Sequence, residues 1–297
     1  MGVTDPLMDP MPPQYNALSD RYSPEQITYL YEVIHGEESY LTEAFLRAAA
    51  EEVVLYIGQK PAGELRALRM MILIRAWARL RARRGTRPRA SDRCDMTRHD
   101  VTETNRQIPY TSFFAVDETH LTHTRFDGGT SGEMRRAAFL MADAVTVLPY
   151  DPLRDRVLVI EQFRFGPYAR GDARPWMLEP IAGRVDAGET AENTARREAE
   201  EEASITVKAL HKVAEYYPSS GAMTEYVLSY IGIADLPDDV TGVGGLESEH
   251  EDIASTLISF DRLMQMCDAG QLDVGPLYLS ALWLARHRDR LRAEAGV

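Results

Sequence analysis

The stretch that most restricts this chain is GRVDAGETAENTARREAEEEASI, residues 183–205. Its acids are spaced, not scattered. Glu198, Glu201 and Glu202 stand at i, i+3 and i+4, so on a helix their carboxylates share one face while Glu200 points to solvent. Thr190 suits the N-cap, Glu192 lies in the first turn where the helix dipole favours an acid, and Asn193 leaves no capping-box acid. Like charges stacked in this way cost a bare helix about a few tenths of a kcal/mol per pair. A hard divalent cation reverses that sign, because Mg2+ takes oxygen ligands and binds a diphosphate together with one or two carboxylates. An acid-rich run is more often a solvated helix face. The rest of the chain has to decide.

The formal charge of −13 is unevenly spread. Residues 1–107 hold fifteen basic and fifteen acidic side chains, so residues 108–297 carry the whole imbalance. Such an acidic surface repels nucleic-acid phosphates, and no nucleic-acid partner is expected. An anionic ligand would need metal ions as mediators. Cys94 and Cys267 are far apart and in no CxxC pair, which argues against a disulfide scaffold or zinc site and for a reducing, cytoplasmic setting. The best apolar run, Met70 to Ile74, is bounded by Arg69 and Arg75 and falls far short of the roughly eighteen residues of a membrane span. MGVTDPLMDPMPP lacks the basic and apolar regions of a secretory signal, and Pro6 stands where a myristoylation pattern needs Ser or Thr.

Residues 1–22 read as a loose leader. Ser23-Pro24-Glu25 predicts a helix start with Pro at its first position. Phe45, Leu46, Ala49, Val53, Tyr56 and Ile57 keep helical spacing. Pro61 opens a further helix whose stripe is Leu65, Leu68, Ile72 and Trp77. Residues 1–107 are therefore expected to form a helical module with a basic tail. From Arg75 to Arg106 the tail has ten arginines against four acids and contains Gly85 and Pro88. With no aromatic after Trp77 it reads as a solvated helix end and linker.

From Pro109 the texture changes to short strands with turn punctuation. YTSFFAV and HLTHTRF precede Asp127-Gly128-Gly129, and DAVTVLPY and RVLVIEQF flank a turn at residues 151–155. PWMLEPIAGR, ITVKALHKVAEYY and MTEYVLSYIGIA supply further strands, and STLISF leads into a short helix near Leu263 to Met266. A last helix runs from Pro276 to about Leu291. His120 and His123, three apart on a strand, face opposite sides and make a poor metal pair. This irregular alternation predicts an α+β or α/β domain over residues 108–297, a mixed sheet with helices on its faces.

The opening stretch resembles the Nudix box: Gly, five residues, Glu, seven residues, then Arg-Glu-aliphatic-x-Glu-Glu-x-Gly-aliphatic. Gly183, Glu189, Arg197, Glu198, Glu201, Glu202 and Ile205 fall in register, and Ala199 fills the first aliphatic place. Ser204 stands where the family has Gly, at a cost on the order of 1 kcal/mol or a different helix exit. From about Tyr110 to Leu291, VLVIEQFR, PWMLEPIAG, YYPSSGAMTE and GLESEHEDI are similar to the ADP-ribose diphosphatase branch, which includes Nudix-type tellurite-resistance proteins.

The resemblance implies a Nudix fold, a mixed β-sheet sandwiched between helices, and hydrolysis of ADP-ribose to AMP and ribose 5-phosphate. It implies two or three Mg2+ or Mn2+ ions held by Glu198, Glu201, Glu202, Glu251 and the backbone carbonyl of Ala182. Arg197 would orient the carboxylates with Glu189 in support, and Gly183 would let its loop approach closely. Glu249 matches the general base, His250 being the competitor with a suitable unperturbed pKa. Phe113 and Phe114 match adenosine-reading positions, with core packing as the alternative. Arg136, Arg164, Glu179, Ser219 and Glu225 match further substrate contacts, while Met141 replaces an arginine contact. A homodimer is implied as well. Two other readings remain: a hydrolase of another nucleoside diphosphate sugar such as GDP-mannose, and a non-catalytic sensor that binds ADP-ribose. Since every recognised site lies beyond residue 107, a chain starting near Thr104 is expected to stay soluble and active.

Overall fold

A computed structural model describes residues 11–85, 90–245 and 251–297. The chain divides into two compact units, the first of residues 1–142, 186–188 and 219–225, the second of residues 143–185, 189–218 and 226–297.

In the first unit, α1 (Pro13–Asn16), α2 (Pro24–Ile34), α3 (Glu43–Val53), α4 (Ala62–Arg66) and α5 (Arg69–Arg84) precede an antiparallel sheet of β1 (Val101–Thr111), β2 (Ala115–His123) and β3 (Met134–Leu140), in that spatial order. Helix α2 starts where Ser23-Pro24 predicts. Ser23 Oγ accepts the Gln26 N–H at 3.3 Å, and Gln26 Oε1 accepts the Ser23 N–H at 2.9 Å, a reciprocal cap. The single helix expected after Pro61 is instead two. Leu68, at φ −99° and ψ 11°, leaves helical geometry between them.

Phe45, Leu46, Leu65, Ile72 and Leu73 share one core with Ile108, Ala115 and Leu140 from the strands. The boundary expected between residues 107 and 108 thus falls inside β1. The run TETNRQ reads as linker because it is polar, yet it pairs with β2 as an exposed strand. YTSFFAV likewise spans a bend, closed by the Ser112 N–H on the Phe114 carbonyl at 2.9 Å.

The second unit holds β4 (Ala144–Asp151), β5 (Arg156–Phe163), α6 (Phe165–Arg170), β6 (Trp176–Glu179), β7 (Ile181–Arg184), α7 (Ala191–Ala203), β8 (Ala209–Tyr216), β9 (Val227–Ile233), β10 (Val243–Gly244), β11 (Ile253–Ser259), α8 (Phe260–Asp268) and α9 (Gly275–Glu294). The sheet runs β10-β11-β5-β4-β9-β8, with β6 on β5 and β7 on β4. Only β4 and β9 pair in parallel among these ladders, so the sheet is mixed. Strand β4 is buried from Val145 to Asp151, as a central strand covered on both faces should be. Leu148 and Tyr150 join Leu263, Leu277 and Leu284 of α8 and α9 in one core. Val145 and Val147 face the other way by the two-residue period, and α7 packs over β4 and β7.

PWMLEPIAGR is two strands. Pro180 lacks the N–H a ladder requires, and there the chain changes partner from Ile160 of β5 (at Glu179) to Val147 of β4 (at Ile181). No helix among the described residues is long and apolar enough to cross a membrane.

Candidate active site

Helix α7 begins at Thr190, whose hydroxyl accepts the Asn193 N–H at 3.2 Å. Its first turns are fastened by Glu189, which accepts the Thr194 hydroxyl at 2.7 Å. The helix lays Glu198 and Glu202 towards β7. Glu202 is 3% exposed, and its Oε2 accepts the Ala182 N–H at 3.2 Å. Gly183 is next along the strand. A Cβ there would run into the Glu198 carboxylate where it now lies, so glycine leaves this side chain its place against the strand.

Burial pushes the Glu202 carboxyl up to about 8, and the Glu198 and Glu251 carboxylates push it the same way. Burial likewise raises Glu198 to about 7, opposed by Arg197 and assisted by Glu201 and Glu251. One buried acid, one half-buried acid and a third felt by both define a point that disfavours further negative charge and favours a cation. Arg197 is shared among the acids. Its Nη1 lies 2.8 Å from both Glu198 Oε1 and Glu201 Oε2, and its Nη2 lies 3.2 Å from Glu189 Oε2. Glu201 is thus tied to arginine and less buried than Glu198.

Among the described residues no three Asp, Glu, His or Cys side chains already form a metal cage. The donors present are hard oxygens. They suit Mg2+, which takes one or two carboxylates and completes its shell with water and substrate phosphate.

Two further glycines bring the second wall close. A Cβ on Gly244 would meet the Glu202 carbonyl at 2.6 Å, and one on Gly245, at φ +102°, would meet Glu251 Cβ at 2.8 Å. Sequence reasoning missed both as packing positions, although the run Gly242-Val243-Gly244-Gly245 signalled close backbone approach. Glu249 and His250 lie outside the described residues.

The NUDIX domain family model matches residues 140–277. The ADP-ribose pyrophosphatase of Escherichia coli (strain K12) is 35% identical over 197 residues, covering 66% of this chain and 93% of that protein. The chain belongs to the Nudix family. The ADP-ribose pyrophosphatase of Haemophilus influenzae is 32% identical over 198 residues, covering 66% of this chain and 91% of its own length. A GDP-mannose pyrophosphatase of Yersinia pestis (strain Pestoides F) is 34% identical over 123 residues, covering 41% of this chain and 62% of the relative. A solved structure described as an ADP compounds hydrolase shares the fold, with TM-score 0.50 at 17% identity over 63% of this chain and 96% of its own.

In Nudix terms the one departure inside the box is Ser204. It takes the left-handed conformation all the same, at φ 53° and ψ 38°. The Ile205 N–H reaches the Ala199 carbonyl at 3.0 Å and the Ser204 N–H reaches Glu200 at 2.9 Å, a closed helix end of the kind glycine usually makes. Serine therefore leaves the exit unbent and carries strain.

The remaining candidates divide between the units. In the second unit, Arg164 and Glu179 bind each other, Nε to Oε2 at 2.8 Å and Nη2 to Oε2 at 2.6 Å. In the first, Phe113 is 58% exposed and so is not core. Phe114 is half-buried, its ring edge-on to Phe139 with centroids 5.0 Å apart. Arg136 is exposed on β3. The Ser219 carbonyl accepts the Ala222 N–H at 3.0 Å in a turn, and Glu225 is half-buried. The Met141 N–H donates to Thr224 Oγ1 at 2.8 Å.

Proposed function

We propose that this Nudix protein hydrolyses the diphosphate of ADP-ribose to AMP and ribose 5-phosphate. The observation that carries the chemistry is the carboxylate pair of half-buried Glu198 and buried Glu202, seated against Gly183 and Ala182. The substrate follows from relatives named ADP-ribose pyrophosphatases, matched over 93% and 91% of their length. Glu198, Glu201, Glu202, Glu251 and the Ala182 carbonyl would hold two or three Mg2+ ions, or Mn2+ in their place. Bound there, the cation neutralises and polarises the diphosphate.

Arg197 keeps the box acids in register, supported by Glu189. Glu249 takes the proton of the attacking water, since acids bound to a cation are poor bases. Phe113 and Phe114 read the adenosine, and Arg136, Arg164, Glu179, Ser219 and Glu225 contact the rest of the substrate. The active protein is a cytoplasmic homodimer. The helices before β1 serve a structural role, packing with the strands up to Leu140 in one core.

A second reading, GDP-mannose as substrate, is favoured by the Yersinia relative. A substrate panel with Mg2+, scoring released AMP or GMP, separates the two. ADP-ribose is expected to give the higher kcat/KM, and a higher value for GDP-mannose refutes the assignment. Glu249→Gln should lower kcat by about 10²–10⁴ with substrate affinity little changed, while His250→Ala stays within about tenfold of wild type. The reverse result makes His250 the base.

A further inference from the structure

The first unit contains a cavity of about 250 Å³. Three separated parts of the chain build it. Arg21 and Tyr22 come from the turn before α2, Gln26 from its first turn, and Glu51, Val54 and Leu55 from the end of α3 and just beyond. Arg98 lies just before β1, and Glu103 and Arg106 on it.

Three guanidinium groups meet two carboxylates here, and the pairing is unequal. Glu51 is held by Arg83 Nη2 at 2.5 Å, and Arg106 donates through Nε to Asp117 at 2.7 Å. Arg98 comes only within 3.9 Å of Glu103. Arg21 has no ion pair among the described residues; its guanidinium lies 5.8 Å from the Tyr22 ring centroid. Gln26 Oε1 is occupied by the Ser23 N–H at 2.9 Å, which leaves its amide group as a donor. The wall is therefore rich in donors and holds two arginines with spare capacity. Tyr22, Val54 and Leu55 add an apolar side.

Guanidinium forks match phosphate oxygens, and several together favour a group that presents three of them. We propose that this cavity binds a small phosphate monoester, Arg21 and Arg98 taking the phosphate and the Tyr22 side taking the attached planar or apolar group. The carboxylate helix lies in the second unit, so the proposal stands apart from the hydrolase assignment.

The test is isothermal titration of the full-length protein in EDTA with phenyl phosphate. One molecule per chain is expected to bind, more weakly as salt rises. Arg21→Ala and Arg98→Ala should each weaken binding by about tenfold or more with the circular dichroism spectrum unchanged, and Arg98→Lys by less. Phenol should not bind, and benzoate should bind less tightly. The proposal is overturned by the absence of saturable binding, by binding that survives both alanine variants, or by benzoate binding as tightly.

Discussion

Glu202 and Glu198 each serve the site at the expense of the metal-free fold. A carboxyl whose folded pKa exceeds its unfolded value of about 4.3 stabilises the fold only while protonated. That contribution is complete below the unfolded value and is lost as pH rises through the folded values of about 7 for Glu198 and about 8 for Glu202. Metal-free protein should accordingly lose stability from about pH 4 to pH 8, and Mg2+ should restore it most at the upper end. Glu202→Gln removes the buried charge with little change in volume. At pH 8 in EDTA this variant should melt above wild type, yet it should lose turnover and most of the Mg2+-induced rise in Tm. A wild-type Mg2+ shift in the variant would sink the ligand assignment. These residues were legible in sequence because Gly183, Glu189, Arg197 and the three acids fall together in the register of the Nudix box, whereas acids at helical spacing alone read as a solvated face. Their degree of burial was not, since it depends on a strand fourteen or more residues upstream of the carboxylates.

Elements were legible where local chemistry and tertiary packing agree. Ser23, Thr190 and Pro276 mark helix starts that the structure places within a residue or so. The break at Leu68 carried no Gly or Pro to announce it, and β1 is polar enough to pass for linker. Pro180 was visible in the sequence, but its effect, moving the chain from β5 to β4, needs the sheet to be known. That change of partner puts Ala182 and Gly183 beneath α7, which gives Gly183 a sharper role than loop freedom. The Cβ of Gly183→Ala would collide with the Glu198 carboxylate, so the carboxylate must move while the strand's ladder is unaffected. The variant should keep its circular dichroism spectrum, bind Mg2+ more weakly and lose about 10²-fold in kcat, the cost of misplacing a group by about an ångström. Unchanged kcat and Mg2+ affinity would mean that Glu198 moves aside freely and that the close fit has no catalytic purpose.

At the scale of the whole molecule, composition suggested a cut between residues 107 and 108, because charge balance and texture both change there. The three-stranded sheet of the first unit argues otherwise. Ile108 on β1, Ala115 on β2 and Leu140 on β3 are buried in the same cluster as Phe45, Leu65 and Ile72 of the helices. A three-stranded sheet needs its apolar face covered to be stable in water. Among the helices, Arg75 Nη2 of α5 meets Glu52 Oε1 of α3 at 2.6 Å with both side chains buried, and the shared apolar cluster joins the helices into one packed body. A chain starting at residue 104 would remove α1 to α5, delete Val101 to Glu103 from β1 and leave the apolar face of the sheet in water. It is therefore expected to aggregate or to unfold without a cooperative transition, against the solubility the sequence alone suggested. Size-exclusion chromatography and a thermal melt beside the full-length protein decide the matter. A monodisperse truncated protein with a sharp transition and full ADP-ribose hydrolysis would show that the helices are dispensable and that the functional boundary lies where the composition changes.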